Sequence, residues 1–263
     1  MEKILLRKME VEYSSPIKYY LISDERKIFM NDFLGKDISI IFTGEYECLR
    51  CGAKIKKTFG EGLCYHCYIT APEADKCIVH PEMCLAHQGI SRDLEWSKTH
   101  CLRPHYVYLA KTSKIKVGVT RENQIPTRWI DQGADKAIKL AKTPYRQLAG
   151  LIEVSMKKYF SDKTSWQQML KNISCPDNLI EAKQKAIELM PDEFKKFIVN
   201  DNEVWNLNYP IMKNPQKVKS IRLDKVPEIK GILTGIKAQY LIFDNQNVLN
   251  IRSHSGYKIN LNI

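Results

Sequence analysis

The sequence predicts an α+β protein in which a zinc-ribbon module is joined to a small αβ core and flanked by β-rich segments at either end. Three observations predict this. Seven of the eight cysteines and five of the six histidines fall between Cys48 and His105. Runs of β-branched and aromatic residues, separated by charged or turn residues, fill the first forty-seven positions and the stretch after Trp205. From Tyr106 onward the hydrophobic pattern reads strand, strand, helix, strand, helix. The boundaries that follow are 1–47 for a β-rich N-terminal segment, 48–105 for a zinc-binding Cys/His region, 106–175 for a basic αβ domain, and 176–263 for a helix plus β-rich C-terminal segment.

In the first segment, Lys18-Tyr-Tyr-Leu-Ile and Asp37-Ile-Ser-Ile-Ile-Phe-Thr read as strands. Each end of the chain holds too few strands to close a core alone, so the two ends are expected to pair into one barrel or sheet.

The Cys/His region opens with Cys48-Leu-Arg-Cys51 and Cys64-Tyr-His-Cys67, twelve residues apart. A Cys-x-x-Cys turn points two sulfurs at one ion, and a second turn across a short hairpin supplies the other two. Gly52 and Gly62 provide the permissive backbone such knuckles need. Disulfides would require an oxidising compartment, and a redox Cys-x-x-Cys should begin a helix after a buried strand. Beyond these lie Cys77, His80, Cys84, His87, His100, Cys101 and His105. A second zinc would use Cys77, Cys84, His87 and Cys101, with His80, His100 or His105 able to replace one of them. The alternatives are buried thiols acting as small hydrophobes, or a nucleophilic cysteine activated by a nearby histidine. Cys175, alone before Pro176, reads as a packing residue.

In the αβ segment, Tyr106-Val-Tyr-Leu-Ala and Lys114-Ile-Lys-Val-Gly-Val form two strands around the turn Lys111-Thr-Ser. Pro126 starts a helix that Gly133 stops. Ala137-Ile-Lys-Leu-Ala is a third strand. Pro144 opens a helix with Leu148, Leu151, Ile152 and Tyr159 on its apolar side. Gly150 lies in mid-helix, where glycine costs roughly 1 kcal/mol against alanine, so a close approach is expected there. Asp162 reads as the N-cap of the next helix, and residues 178–199 read as one further helix. Ile229-Lys-Gly-Ile-Leu, Ala238-Gln-Tyr-Leu-Ile-Phe and Val248-Leu-Asn-Ile read as strands.

Residues 106–153 resemble the GIY-YIG endonuclease core. Tyr106-Val107-Tyr108 stands for the family's first tripeptide and Lys116-Val117-Gly118 for the second, with Lys116 in place of the second tyrosine. Arg128-Trp129 falls on the helix after Gly118, and Glu153 on the later helix. The resemblance implies a metal-dependent hydrolase of phosphodiester bonds. Tyr108 would be the general base, Arg128 the clamp on the pentavalent phosphate, and Glu153 the ligand of a Mg²⁺ or Mn²⁺ ion. Lys111, Lys116, Arg121 and Arg128 would contact the nucleic-acid backbone. The longer pattern, from the Cys-x-x-Cys ribbon through Arg128-Trp-Ile-Asp-Gln-Gly133, resembles a group of prokaryotic proteins with a domain of unknown function.

Charge points the same way. The net charge is +11, and residues 106–175 hold thirteen Lys+Arg against five Asp+Glu. Such a concentrated field suits a polyanion, DNA or RNA. No apolar run approaches the ~20 residues of a membrane span, and paired thiols without a secretory signal point to a cytoplasmic protein. Two other readings stay open: a non-catalytic nucleic-acid binder on a degenerate GIY-YIG fold, and an RNA-modifying enzyme using an unpaired thiol.

Overall fold

The structure, a computed structural model, describes residues 2–23 and 26–263. The chain begins with β1 (Glu2–Leu5), β2 (Glu10–Glu12), β3 (Lys18–Ile22), β4 (Lys27–Phe29), β5 (Asp37–Glu47), β6 (Lys54–Ile55) and helix α1 (Tyr65–Thr70). It continues through α2 (Leu94–His100), β7 (His105–Lys111), β8 (Ile115–Arg121), α3 (Thr127–Asp131), β9 (Lys136–Thr143) and α4 (Arg146–Met156). Then come α5 (Trp166–Leu170), α6 (Leu179–Leu189), α7 (Asp192–Lys195) and β10 (Val204–Asn206). It ends with β11 (Lys219–Ser220), β12 (Glu228–Lys237), β13 (Tyr240–Phe243), β14 (Asn247–Asn250) and β15 (Tyr257–Asn262). Two compact units result, Met1–Ile69 with Leu207–Ile263, and Thr70–Asn206. The Cys/His region is divided between them.

In the first unit the two ends of the chain pair as expected, in an eight-stranded sheet ordered β1-β15-β5-β12-β13-β14-β11 with β6 alongside β5. The long β5 lies antiparallel between β15 and β12, so an N-terminal strand is enclosed by C-terminal ones. Period-two alternation explains β15: Tyr257, Ile259 and Leu261 are buried, while Lys258, Asn260 and Asn262 are only partly so. A separate three-stranded sheet, β2-β3-β4, holds the strand read at Lys18–Ile22.

The second unit is built on a four-stranded antiparallel sheet ordered β10-β9-β7-β8. Its core joins Val107, Leu109, Val117, Ile138 and Leu140 from the strands to Ala149, Ile152 and Met156 of α4 and Leu179, Ala182 and Ala186 of α6.

Three local expectations are corrected. The helix expected over 178–199 is two, α6 and α7, because Pro191 lacks the N–H needed to continue the first. Asp162 is not an N-cap: Ser165 takes that position at α5 without a side-chain bond, and Asp162 lies 4.0 Å from Lys157. The buried face of α4 is only partly the predicted one: Ile152 is buried and Leu148 half-buried, but Leu151 and Tyr159 are exposed. Two stripes of α4 are buried instead. Ala149, Ile152 and Met156 meet the sheet, and Arg146, Gly150 and Glu153 lie on an adjoining face.

Candidate functional site

The first cysteine cluster is a closed donor set. The Sγ atoms of Cys48, Cys51, Cys64 and Cys67 all lie within 4.8 Å of one another. Four thiolates about 2.3 Å from a tetrahedral zinc would stand about 3.8 Å apart, and Cys51 and Cys64 are separated by 3.9 Å. The backbone builds both knuckles. Gly52 N–H bonds to Cys48 O and Leu49 N–H to Gly62 O, which ties one knuckle to the other. Gly62 has φ 87°, and a Cβ there would stand 2.8 Å from Leu49 Cδ1 and 2.9 Å from the Ser255 carbonyl carbon. Only glycine fits. Cys67 N–H points at Cys64 Sγ from 3.3 Å. Burial raises the Cys48 thiol, but backbone N–H groups of Cys51, Cys64 and Arg50 outweigh it and bring its pKa down to about 6. Burial and the neighbouring sulfurs push Cys67 up to about 12. Thiols crowded in this way ionise together only around a cation. Among the described residues no cysteine is in a disulfide.

The second cluster gathers three of the four expected ligands. Cys77, Cys84 and Cys101 are buried, with sulfurs within 4.8 Å of one another. His87 is not among them; its ring stacks on Tyr145 at 4.8 Å. The trio is bolted to the start of α4. Arg146 N–H donates to Cys101 O at 2.9 Å. Its guanidinium donates to Cys77 O at 3.1 Å and stands 3.8 Å from Cys77 Sγ. One turn further along, a Cβ on Gly150 would lie 2.2 Å from Glu82 N and 2.5 Å from the Pro81 carbonyl carbon. The expected close approach is therefore the Pro81–Met83 turn of the Cys/His region. Glu82 Oε2 is buried there without a hydrogen-bond partner, and its charge bears on Glu153.

On the sheet, Tyr108 faces Gly118 across the β7–β8 pair. A Cβ on Gly118 would stand 2.6 Å from the Tyr108 hydroxyl, so this glycine makes room for the phenol. Tyr108 is fully buried and donates to Gln132 Oε1 at 2.8 Å. Burial raises its pKa, against the lowering influence of Arg128. Lys116, two residues before Gly118, is buried, with Nζ 3.4 Å from Thr164 Oγ1. Burial, helped by the Arg128 charge, lowers its pKa to about 8 despite Glu153 and Asp162. Glu153 has a side chain only 12 % exposed and stands 3.7 Å from Lys157. Burial holds its carboxyl above the ordinary range although Lys157 and Lys116 pull it down. Arg128 is half-buried on α3. Tyr108, Lys116, Arg128 and Glu153 thus act on one another electrostatically, with Asp162 at the margin.

Two basic residues lie elsewhere. Lys111 donates to Asp177 O at 3.1 Å, and Arg121, paired with His105 across the hairpin, bears on Cys101. Sequence reasoning missed Glu82 and Arg146, whose roles arise from a loop laid along a helix. Only Gly150 signalled that contact.

A protein-family model described as Protein of unknown function (DUF2797) matches residues 35–259. No curated protein and no solved structure matches the chain.

Proposed function

The chain belongs to the DUF2797 family, and on that premise we propose that it is a zinc-braced nucleic-acid-binding protein carrying a GIY-YIG-type site for metal-dependent cleavage of phosphodiester bonds. One observation carries the reading: the charges of Arg128 and Glu153, on two different helices, both bear on Tyr108 and on Lys116, beside a glycine that leaves room for the phenol. The basic field of residues 106–175 supports a polyanionic substrate.

Each side chain has a task suited to its surroundings. Arg128 offers an always-charged planar fork to a phosphate. Glu153, whose burial outweighs the pull of Lys157 and Lys116 on its carboxyl, fits a divalent ion. Mg²⁺ or Mn²⁺ held there would supply Lewis-acid polarisation of the scissile phosphate. Lys116 has a pKa of about 8, so about a tenth of it is neutral at pH 7. That fraction can accept a proton from water, in the place where the family carries its second tyrosine. Tyr108, sealed and bonded to Gln132, orients its neighbours.

The test is incubation of the purified, zinc-loaded protein with structured DNA, single strands and tRNA, with and without Mg²⁺ or Mn²⁺. Cutting should need the divalent ion. Glu153→Ala should abolish cutting and leave binding within about twofold, because it removes a metal ligand rather than a phosphate contact. Absence of metal-dependent cutting on every substrate would sink the hydrolase reading.

The complete burial of the Tyr108 phenol favours a second reading, a binder without hydrolysis. In that case Lys116→Ala and Arg128→Ala weaken binding and flatten its salt dependence, while no substrate is cut.

A further inference from the structure

The two cysteine clusters differ in donor count, and donor count decides what a zinc ion can do. Four sulfurs close a tetrahedral ion completely; three leave its fourth ligand to come from outside. Around Cys77, Cys84 and Cys101, no fourth His, Cys, Asp or Glu donor of the described residues joins the three sulfurs. Asp75 accepts from Cys77 N at 3.1 Å and pairs with Arg92 at 3.2 Å. His100 stacks on Trp96 at 3.8 Å, with Nδ1 3.0 Å from Trp96 O. His105 bonds Arg103 O through Nδ1 at 2.7 Å, and its Nε2 is buried without a hydrogen-bond partner, but it is not among the donor atoms that lie within 4.8 Å of one another around the three sulfurs. His87 is stacked on Tyr145, with Nδ1 buried and without a hydrogen-bond partner, and it too lies outside the group of donor atoms within 4.8 Å of one another.

A cavity of about 360 Å³ is lined by all three cysteines, with Met83, Leu85, Ile90 and Trp96 among its other walls. That volume suits a small molecule. We propose that the trio holds a zinc ion whose fourth position faces this cavity and takes a small exogenous thiolate with an apolar body. Soft sulfur donors favour a soft fourth ligand. Three thiolates on a divalent ion leave one net negative charge. Arg146, 3.8 Å from Cys77 Sγ, and Arg121, bearing on Cys101, more than offset it, so a further anion is accommodated. On binding, the thiol's proton leaves to solvent, and its sulfur lone pair would form the bond to zinc as the solvent water in the fourth position departs. The site is independent of the nuclease reading, and either can fail without the other.

The experiment uses the full chain in thiol-free buffer, loaded with zinc for X-ray absorption and with cobalt for visible spectroscopy. Benzyl mercaptan is the probe and mercaptoethanol its small polar control. Wild type should bind two metals per chain. With saturating benzyl mercaptan, the mean sulfur count per zinc should rise from about 3.5 to about 4. The thiolate-to-cobalt absorption should grow and saturate, with benzyl mercaptan binding roughly tenfold tighter than mercaptoethanol because of the apolar walls. Cys84→Ser should lose one metal and the whole thiol response. Where that variant does not fold, the sulfur count on wild type decides alone. One metal per chain, a sulfur count unmoved by thiol, or equal affinity for the two thiols would overturn the proposal. So would a change in the thiol-free cobalt spectrum on His87→Gln or His105→Gln, which would mean that a histidine closes the site.

Discussion

Burial lowers the Lys116 ammonium from 10.5 to about 8, so above pH 8 the folded state holds mainly the neutral amine while the unfolded chain stays charged up to pH 10.5. Between pH 8 and 10.5 the unfolded chain therefore binds the extra proton, and stability rises with pH across that window. Below pH 8 the residue carries its full cost, up to about 3 kcal/mol by the size of the shift. Lys116→Met should accordingly be more stable than wild type at pH 7 by about 1–3 kcal/mol, and the advantage should fade as pH rises to 10.5. Guanidinium unfolding of both proteins at several pH values, zinc present, checks it; an advantage constant with pH would refute the depressed pKa. A cost kept at a buried position is consistent with a role in binding or chemistry. The identity of Lys116 was legible in the sequence, as the residue replacing a tyrosine. Its burial was not, because burial depends on what covers β8, here the segment near Ser161 and Thr164.

Helix α4 serves two neighbours at once. Ala149, Ile152 and Met156 pack on the sheet, and Arg146, Gly150 and Glu153 run along the face that meets the Pro81–Met83 turn. A single apolar stripe was the natural reading of Leu148, Leu151, Ile152 and Tyr159; it held for Ile152 and missed the rest because the second buried face carries an arginine, a glycine and a glutamate. Hydrophobic periodicity does not register such residues. The glycine did register, as a residue with low helix propensity in mid-helix. Its test follows from two opposed effects. Alanine at 150 would favour the isolated helix by roughly 1 kcal/mol. In the folded protein its Cβ would meet Glu82 N at 2.2 Å, a contact with backbone that cannot rotate away. The clash should win. Gly150→Ala is expected to destabilise the protein by about 2–4 kcal/mol and to make the 77–101 loop more sensitive to limited proteolysis, read by mass spectrometry of the fragments. Unchanged stability would mean that the turn does not press on the helix.

Over the whole chain, the regular sheets and the cysteines that could hold metal occupy different stretches of sequence. Apart from the two-residue β6, every strand lies outside residues 48–104, and the Cys/His stretch contains short helices and turns instead. The pairing of the two chain ends was legible because neither had enough strands to close a core. The division of the cysteines between two units was not legible, since it depends on which sheet each loop returns to. The separation sets the response to metal removal. Strands of both units should survive chelation, while the knuckles and the Cys77–Cys101 loop would lose the zinc proposed to offset their crowded sulfurs. Within the second unit that loop grips α4 through Arg146 and Gly150, so its release should loosen the helix bearing Glu153. The charges proposed to face phosphate remain in the core strands and helices. Stripping zinc is therefore expected to leave most of the far-ultraviolet circular dichroism and to concentrate proteolysis in residues 48–105. In the nucleic-acid reading, affinity should fall by roughly tenfold while the slope of log K against log salt changes by less than about one, because the number of neutralised phosphates is preserved. Titrations at several salt concentrations, before and after chelation and after zinc return, measure both quantities. A slope that collapses with the zinc would place the phosphate contacts in the Cys/His region itself and move the interface off the αβ core.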